Sequence, residues 1–287
     1  MDCERWLDLA RRFNQPLHML AFAAWVRVFG TARARERLGL LSPRPAYAYG
    51  MFRAADHARA FGYPGVTVVE FGVATGAGLM AMVDLAEVIG RETGVRFRVV
   101  GFDAAGGLPP PRGFKDHPEL WSAGDFAMVN REELERRLAG RAELILGDIA
   151  DTVDGFARSI SSDAPLGFVA LDVDYYSSAS AALRAFDGPP ESCLPAVSLY
   201  LDDVAMFVAN RWCGELAAVE EFNERHERRK IDRDRSLPGR RPYKSVGWYD
   251  RMYVLHVLDH PQRARPADRG ALDLDADRRR LIRDGLI

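Results

Sequence analysis

Thr67-Val68-Val69-Glu70-Phe71-Gly72-Val73-Ala74-Thr75-Gly76-Ala77-Gly78 is the stretch on which the fold turns. Its first five residues form a short β-branched run, and from about residue 79 to 91 apolar residues recur at helical spacing. A strand, a glycine turn and a helix in that order begin a βαβ unit. The alternation continues downstream. Apolar runs at residues 97–103, 143–146, 167–171 and 197–201 read as strands, with helical patterns at 132–138, 151–159 and 178–186 between them. Such repetition requires parallel pairing with right-handed crossovers, hence an α/β fold with a doubly wound, mostly parallel sheet. Residues 248–258 are one more β-rich run, expected as a late edge strand or an inserted antiparallel one.

Upstream, residues 6–13 and 17–29 show helical spacing with arginines on the opposite side. Residues 42–50 read as a linker, and a helix over 51–61 ends at Gly62 and Pro64. The expected division is a helical extension at 1–62 acting as lid or dimer contact, a main domain at 63–260 and a charged tail at 261–287. The charged run from Arg225 to Lys230 reads as a solvated helix end. His117, His256 and His260 are expected in hydrogen-bonded structural roles.

Composition narrows the function classes. With 48% hydrophobic and 28% charged residues, the 287-residue chain is neither low-complexity nor wholly disordered. Lys and Arg number 39 against 41 Asp and Glu, a net −2 that speaks against a chain built to coat nucleic acid. Cys3, Cys193 and Cys213 have no C-x-x-C spacing, which argues against a disulfide scaffold or cysteine zinc site and fits a reducing cytoplasm. His18 and Arg27 interrupt the apolar stretch at 17–29, so neither a signal peptide nor a membrane span is expected there.

Doubly wound sheets bind ligands outside the carboxyl ends of their strands. Acidic residues stand there on all five: Glu70, Asp103, Asp148, Asp172 with Asp174, and Asp202 with Asp203. The glycine turn lacks both the G-x-G-x-x-G spacing and the Lys-Ser/Thr of a phosphate loop, which suits a nucleoside without pyrophosphate. Glycine turns also close strand-to-helix joints for steric reasons alone. Asp103 can accept ribose hydroxyls, and Asp148 either reaches an adenine edge or caps a helix. The aspartates after the fourth and fifth strands repel one another unless a cation joins them or hydrogen bonds satisfy them, and their hard oxygens select Mg²⁺ or a similar ion. Residues 104–126, with Phe114, Lys115, His117 and Trp121, form a loop expected to cover an acceptor.

Four of these segments also carry a resemblance: Val69-Glu70-Phe71-Gly72-Val73 with Gly76 and Gly78; Gly101-Phe102-Asp103 with Gly107-Leu108-Pro109; Leu171-Asp172-Val173-Asp174-Tyr175-Tyr176; and Leu201-Asp202-Asp203. In order and spacing, over about residues 66–222, the sequence resembles class I S-adenosylmethionine-dependent methyltransferases, in particular the macrocin and novobiocin-pathway O-methyltransferase family. The resemblance implies a seven-stranded Rossmann-like methyltransferase fold and an S-adenosyl-L-methionine site at Glu70, Gly72, Gly76, Gly78, Asp103 and Asp148. It also implies a Mg²⁺ site at Asp172, Asp202 and Asp203, and a homo-oligomer formed through N-terminal helices. Val204 and Ala179 depart from the family pattern, where an aromatic and a Ser or Thr are common, so acceptor contacts are expected to differ.

The function expected from these residues is Mg²⁺-dependent O-methylation of a small hydroxylated molecule, a sugar-bearing or other secondary metabolite, with no nucleic acid or membrane partner. Asp172 is the expected catalytic base as well as a metal ligand, with Asp174 or a histidine as its substitute. Two rivals use the same residues: N-methylation of an amine, and nucleoside binding without turnover.

Overall fold

A computed structural model describes residues 17–239, 241–243 and 246–264. The helix expected at 6–13 and the tail beyond residue 264 lie outside the described residues. Helices α1 (Leu17–Phe29), α2 (Ala32–Arg37) and α3 (Pro45–Ala60) precede β1 (Gly65–Phe71). There follow α4 (Ala77–Thr93), β2 (Arg96–Asp103), α5 (Arg131–Leu138), β3 (Glu143–Leu146), α6 (Ile149–Ser159) and β4 (Leu166–Leu171). The chain continues through α7 (Tyr176–Ala182), β5 (Cys193–Leu201), α8 (Gly214–Arg225), β6 (Arg229–Arg233) and β7 (Met252–Val257). Among the described residues, no helix is long and apolar enough to cross a membrane.

The strands form one seven-stranded sheet in the order β3-β2-β1-β4-β5-β7-β6. The first five in that order pair in parallel, and β7 is inserted antiparallel between β5 and β6. This is the expected doubly wound, mostly parallel sheet. β1 and β4 are buried at every residue, because helices cover both faces of the sheet centre. Central parallel strands of this kind read as continuous apolar runs rather than alternating ones. Between β1 and β4 the strand order reverses, and their carboxyl ends open a crevice.

Two expectations need correction. The supposed linker at 42–50 is largely helix, because Pro45 starts α3 at a first-turn position where its missing N–H costs nothing. α3 packs against the sheet: a Cβ at Gly50 would stand 2.3 Å from the Phe168 ring of β4. The charged run at 225–230 is not simply a helix end, since α8 stops at Arg225 and Arg229 begins β6. Ile231 anchors that edge strand, buried opposite Leu255, while its charged neighbours discourage further pairing.

Candidate active site

The site grows from the end of β1. Glu70, the penultimate strand residue, is buried beneath the start of α4, where a Cβ at Gly78 would lie 1.7 Å from Glu70 Oε1. Only glycine leaves room for that carboxyl. Tyr47 of α3 donates its hydroxyl proton to Glu70 Oε1 at 2.7 Å, while Oε2 is buried without a hydrogen-bond partner. Burial, with Asp172 and Asp103 adding repulsion, pushes the Glu70 carboxyl up to about 8 despite the Tyr47 bond and Arg44.

After Phe71 the chain turns at Gly72 with φ +88°, and a Cβ there would meet the Asp172 carbonyl oxygen at 1.8 Å. The ends of β1 and β4 therefore touch through backbone. Beyond this turn the amides of Val73 and Ala74 both donate to Asp103 Oδ2, at 3.0 and 2.7 Å, and the Ala105 amide donates to Oδ1 at 2.6 Å. Asp103 thus shapes the glycine turn as well as lining the space above it.

That space is a cavity of about 380 Å³ at the carboxyl edge of the sheet. Glu70, Gly72, Asp103 and Asp148 line it on one side, and Asp172, Asp174, Asp202 and Asp203 on the other. Gly76 and Gly78 are not part of its wall. Gly76 makes room for Leu134, as Gly78 does for Glu70, so both act through packing. Asp148 caps α6, accepting the Ala150 amide at 2.8 Å, while its other oxygen stands 3.5 Å from Arg112. Capping and lining the cavity are compatible roles for one carboxylate.

The four remaining aspartates are crowded. Burial and the charge of Asp202 push Asp172 up to about 6, partly offset by Arg44 at 3.4 Å. Asp174, at φ +59°, is pushed up to about 8 by burial and by Asp203, Asp172 and Asp202. Asp203 rises to about 6 for similar reasons, and its Oδ2 is buried without a partner. Asp202 accepts from Tyr200 and, at 2.7 Å, from Arg251. Behind them the carboxyl of Glu215 accepts the Asp203 amide at 3.1 Å and is held well above its usual range, first by burial and then by Asp203.

Oxygen-only donors that repel one another, with a buried orphan oxygen on Asp203, fit a hard divalent cation. Among the described residues, no three His, Cys, Asp or Glu side chains are already gathered as a ligand set. Arg251 pairs with Asp202 at 2.7 Å, and Arg44 stands 3.4 Å from Asp172.

The 104–126 loop forms the outer wall through Leu108, Pro109, Trp121 and Phe126. Its middle is tied down by Asp116, which is 1% exposed and accepts from the amides of Arg112 and Ser177 at 2.8 Å and the Ser177 hydroxyl at 3.1 Å. Lys115 adds an ion pair to Glu221 of α8 at 2.5 Å. Arg44, Tyr47, Asp125 and Glu215 were not anticipated as site residues. Pro45 could have signalled the helix start that places Arg44 and Tyr47, whereas nothing local to Glu215 marks it.

No protein-family model matches the chain, and no curated protein matches it. Among solved structures, the chain is similar to the calicheamicin methyltransferase CalS11 with a TM-score of 0.51 and 21% identity, over 82% of this chain and 90% of that one. It is also similar to the O-methyltransferase NovP, with a TM-score of 0.46 and 19% identity over 63% and 72% of the two chains. An O-methyltransferase from Bacillus cereus gives a TM-score of 0.43 and 14% identity over 85% and 92%. The first likeness carries the conclusion on architecture: the sheet is that of a Rossmann-like methyltransferase fold.

Proposed function

We propose that the protein is an S-adenosyl-L-methionine-dependent O-methyltransferase acting on a hydroxyl of a small molecule. The observation that carries this reading is the cavity above the glycine turn, with carboxylates suited to a nucleoside on one side and a crowded aspartate cluster on the other. The similarity to CalS11 supports it as a likeness of fold. CalS11 is itself named as a calicheamicin methyltransferase, in keeping with a secondary-metabolite acceptor.

S-adenosyl-L-methionine, when bound, supplies a methyl group already activated on a sulfonium, so the protein's task is chiefly alignment. Asp103 would accept from the ribose, Asp148 would face the base, and Glu70, whose Oε2 is buried without a hydrogen-bond partner, would accept from the cofactor's ammonium group. Asp172, Asp202 and Asp203 would hold Mg²⁺, whose contribution is that of template and Lewis acid toward an acceptor oxygen. Asp172 would also take the acceptor's proton, with Asp174, which lines the cavity beside it, as the substitute. Trp121 and Phe126 of the 104–126 loop would offer apolar surface to the acceptor.

The test is to follow S-adenosylhomocysteine formation with a panel of alcohols and amines, before and after dialysis against chelator. Turnover on alcohols that is lost on chelation and restored by Mg²⁺ is expected. Metal-independent turnover on amines overturns the O-methyl reading, and S-adenosylmethionine that fails to bind in calorimetry removes the whole class.

A further inference from the structure

Arg44 immediately precedes α3, and its side chain leaves that helix to line the cavity. Eight carboxyl side chains line the same cavity, and Arg44 is the one basic side chain among its described lining residues. Its present contacts are loose. Nη1 stands 3.4 Å from Asp172 Oδ2 and 3.5 Å from the Tyr47 hydroxyl, longer than the ~2.7–2.9 Å of a charge-assisted pair. The side chain keeps 34% of its surface exposed, enough for a ligand to reach it.

We propose that Arg44 binds the α-carboxylate of the methionine half of S-adenosyl-L-methionine. This rests on the cofactor reading above and adds a subsite to it. Of that molecule's three charges, the sulfonium and the ammonium are cations and meet carboxylates almost anywhere in the cavity. The α-carboxylate is repelled by the same wall except at Arg44. Adjacency gives a second argument. The two charges of an α-amino acid sit on one carbon, so their partners must be neighbours. Arg44 and Glu70 share Tyr47, whose hydroxyl donates to Glu70 Oε1 at 2.7 Å and lies 3.5 Å from Arg44 Nη1. Glu70 Oε2, buried and unpartnered, lacks a donor of the kind an ammonium supplies. A guanidinium presents two parallel N–H groups in the planar fork that a carboxylate matches, whereas a lysine ammonium acts as a point charge.

Calorimetry on the whole protein tests this with two ligands that differ only in the carboxylate: S-adenosylhomocysteine and 5′-deoxy-5′-(3-aminopropylthio)adenosine. The unaltered protein should prefer the first by about tenfold or more, the scale of one bidentate charged pair. Arg44→Gln should erase that preference by weakening S-adenosylhomocysteine alone, and Arg44→Lys should restore part of it. Equal affinities in the unaltered protein overturn the proposal without any variant. Equal loss of both ligands in Arg44→Gln also overturns it, assigning Arg44 to propping Asp172 and Tyr47. If the unaltered protein binds neither ligand, the cofactor reading itself falls and takes this subsite with it.

Discussion

Asp103 and Ala74 lie 29 residues apart, yet the Asp103 carboxylate accepts the Ala74 amide at 2.7 Å and so ties the end of β2 to the glycine turn after β1. The expected ribose acceptor is therefore also a structural tie. Asp103→Ala should leave buried amides unsatisfied and cost about 1.5–3 kcal/mol of stability. It should also weaken S-adenosylhomocysteine binding, because the turn that faces the nucleoside loses its shape. Asp103→Asn retains one acceptor oxygen and should fall between. Denaturant unfolding and calorimetry on the same samples check both effects; lost affinity with stability unchanged would make Asp103 a ligand contact alone.

Gly72 answers to the Asp172 carbonyl rather than to a ligand. In Gly72→Ala the new Cβ would stand 1.8 Å from that backbone oxygen at φ +88°, so both strand ends must shift. A loss of roughly 3 kcal/mol or more is expected, from overpacking added to a left-handed backbone. Gly140 is the control: its φ is +75° but nothing lies within 4 Å of a Cβ there. Gly140→Ala should cost only about 1–2 kcal/mol, the backbone part. Comparable losses in thermal unfolding would mean that the β1–β4 contact yields easily.

The layout of the sheet and its acidic edge were legible in the sequence for one physical reason. Parallel strands covered on both faces are continuously apolar, so they stand out, and the residue that ends each one falls at the ligand edge. α3 was legible only in its second half. Many of its buried residues are small, Ala46, Ala48, Ala54, Ala55 and Ala58 among them, which gives little amphipathic contrast, and Tyr47, Tyr49 and Gly50 resemble loop composition. Arg44 was hidden with it. Glu215 joins the aspartates only through the docking of α8 beside Asp203, a long-range fact without a local pattern. β6 was obscured because an edge strand needs only one buried residue, Ile231, among its charges.

Asp116 holds the middle of the 104–126 loop on the first turn of α7, just beyond Asp172 and Asp174. Asp116→Ala should free that loop while leaving the sheet intact. The expected signs are faster proteolysis between residues 104 and 126 and a raised KM for the acceptor, with S-adenosylhomocysteine affinity little changed. Asp116→Asn keeps an acceptor for the Ser177 amide and should behave closer to the unaltered protein. If Asp116→Ala is cut no faster, Lys115 and its Glu221 partner carry the anchoring instead.

Glu70 gives the protein a pH dependence whose sign can be worked out. Its folded-state value of about 8 lies above the ordinary 4.5, because burial disfavours the charge. Between those values the folded carboxyl keeps a proton that the unfolded chain has released. Stability from this group is therefore fully present below about 4.5 and lost as the pH rises through about 8. Unfolding of the unliganded protein should show this decline, and Glu70→Gln, neutral throughout, should flatten it. A bound ammonium reverses the balance, since it favours the ionised carboxylate at Oε2. Binding of S-adenosylhomocysteine near pH 7 should then release a proton, seen as a heat that differs between phosphate and Tris buffers and shrinks in Glu70→Gln. A heat independent of buffer would show that Glu70 stays protonated beneath α4 and that the ammonium finds its partner elsewhere.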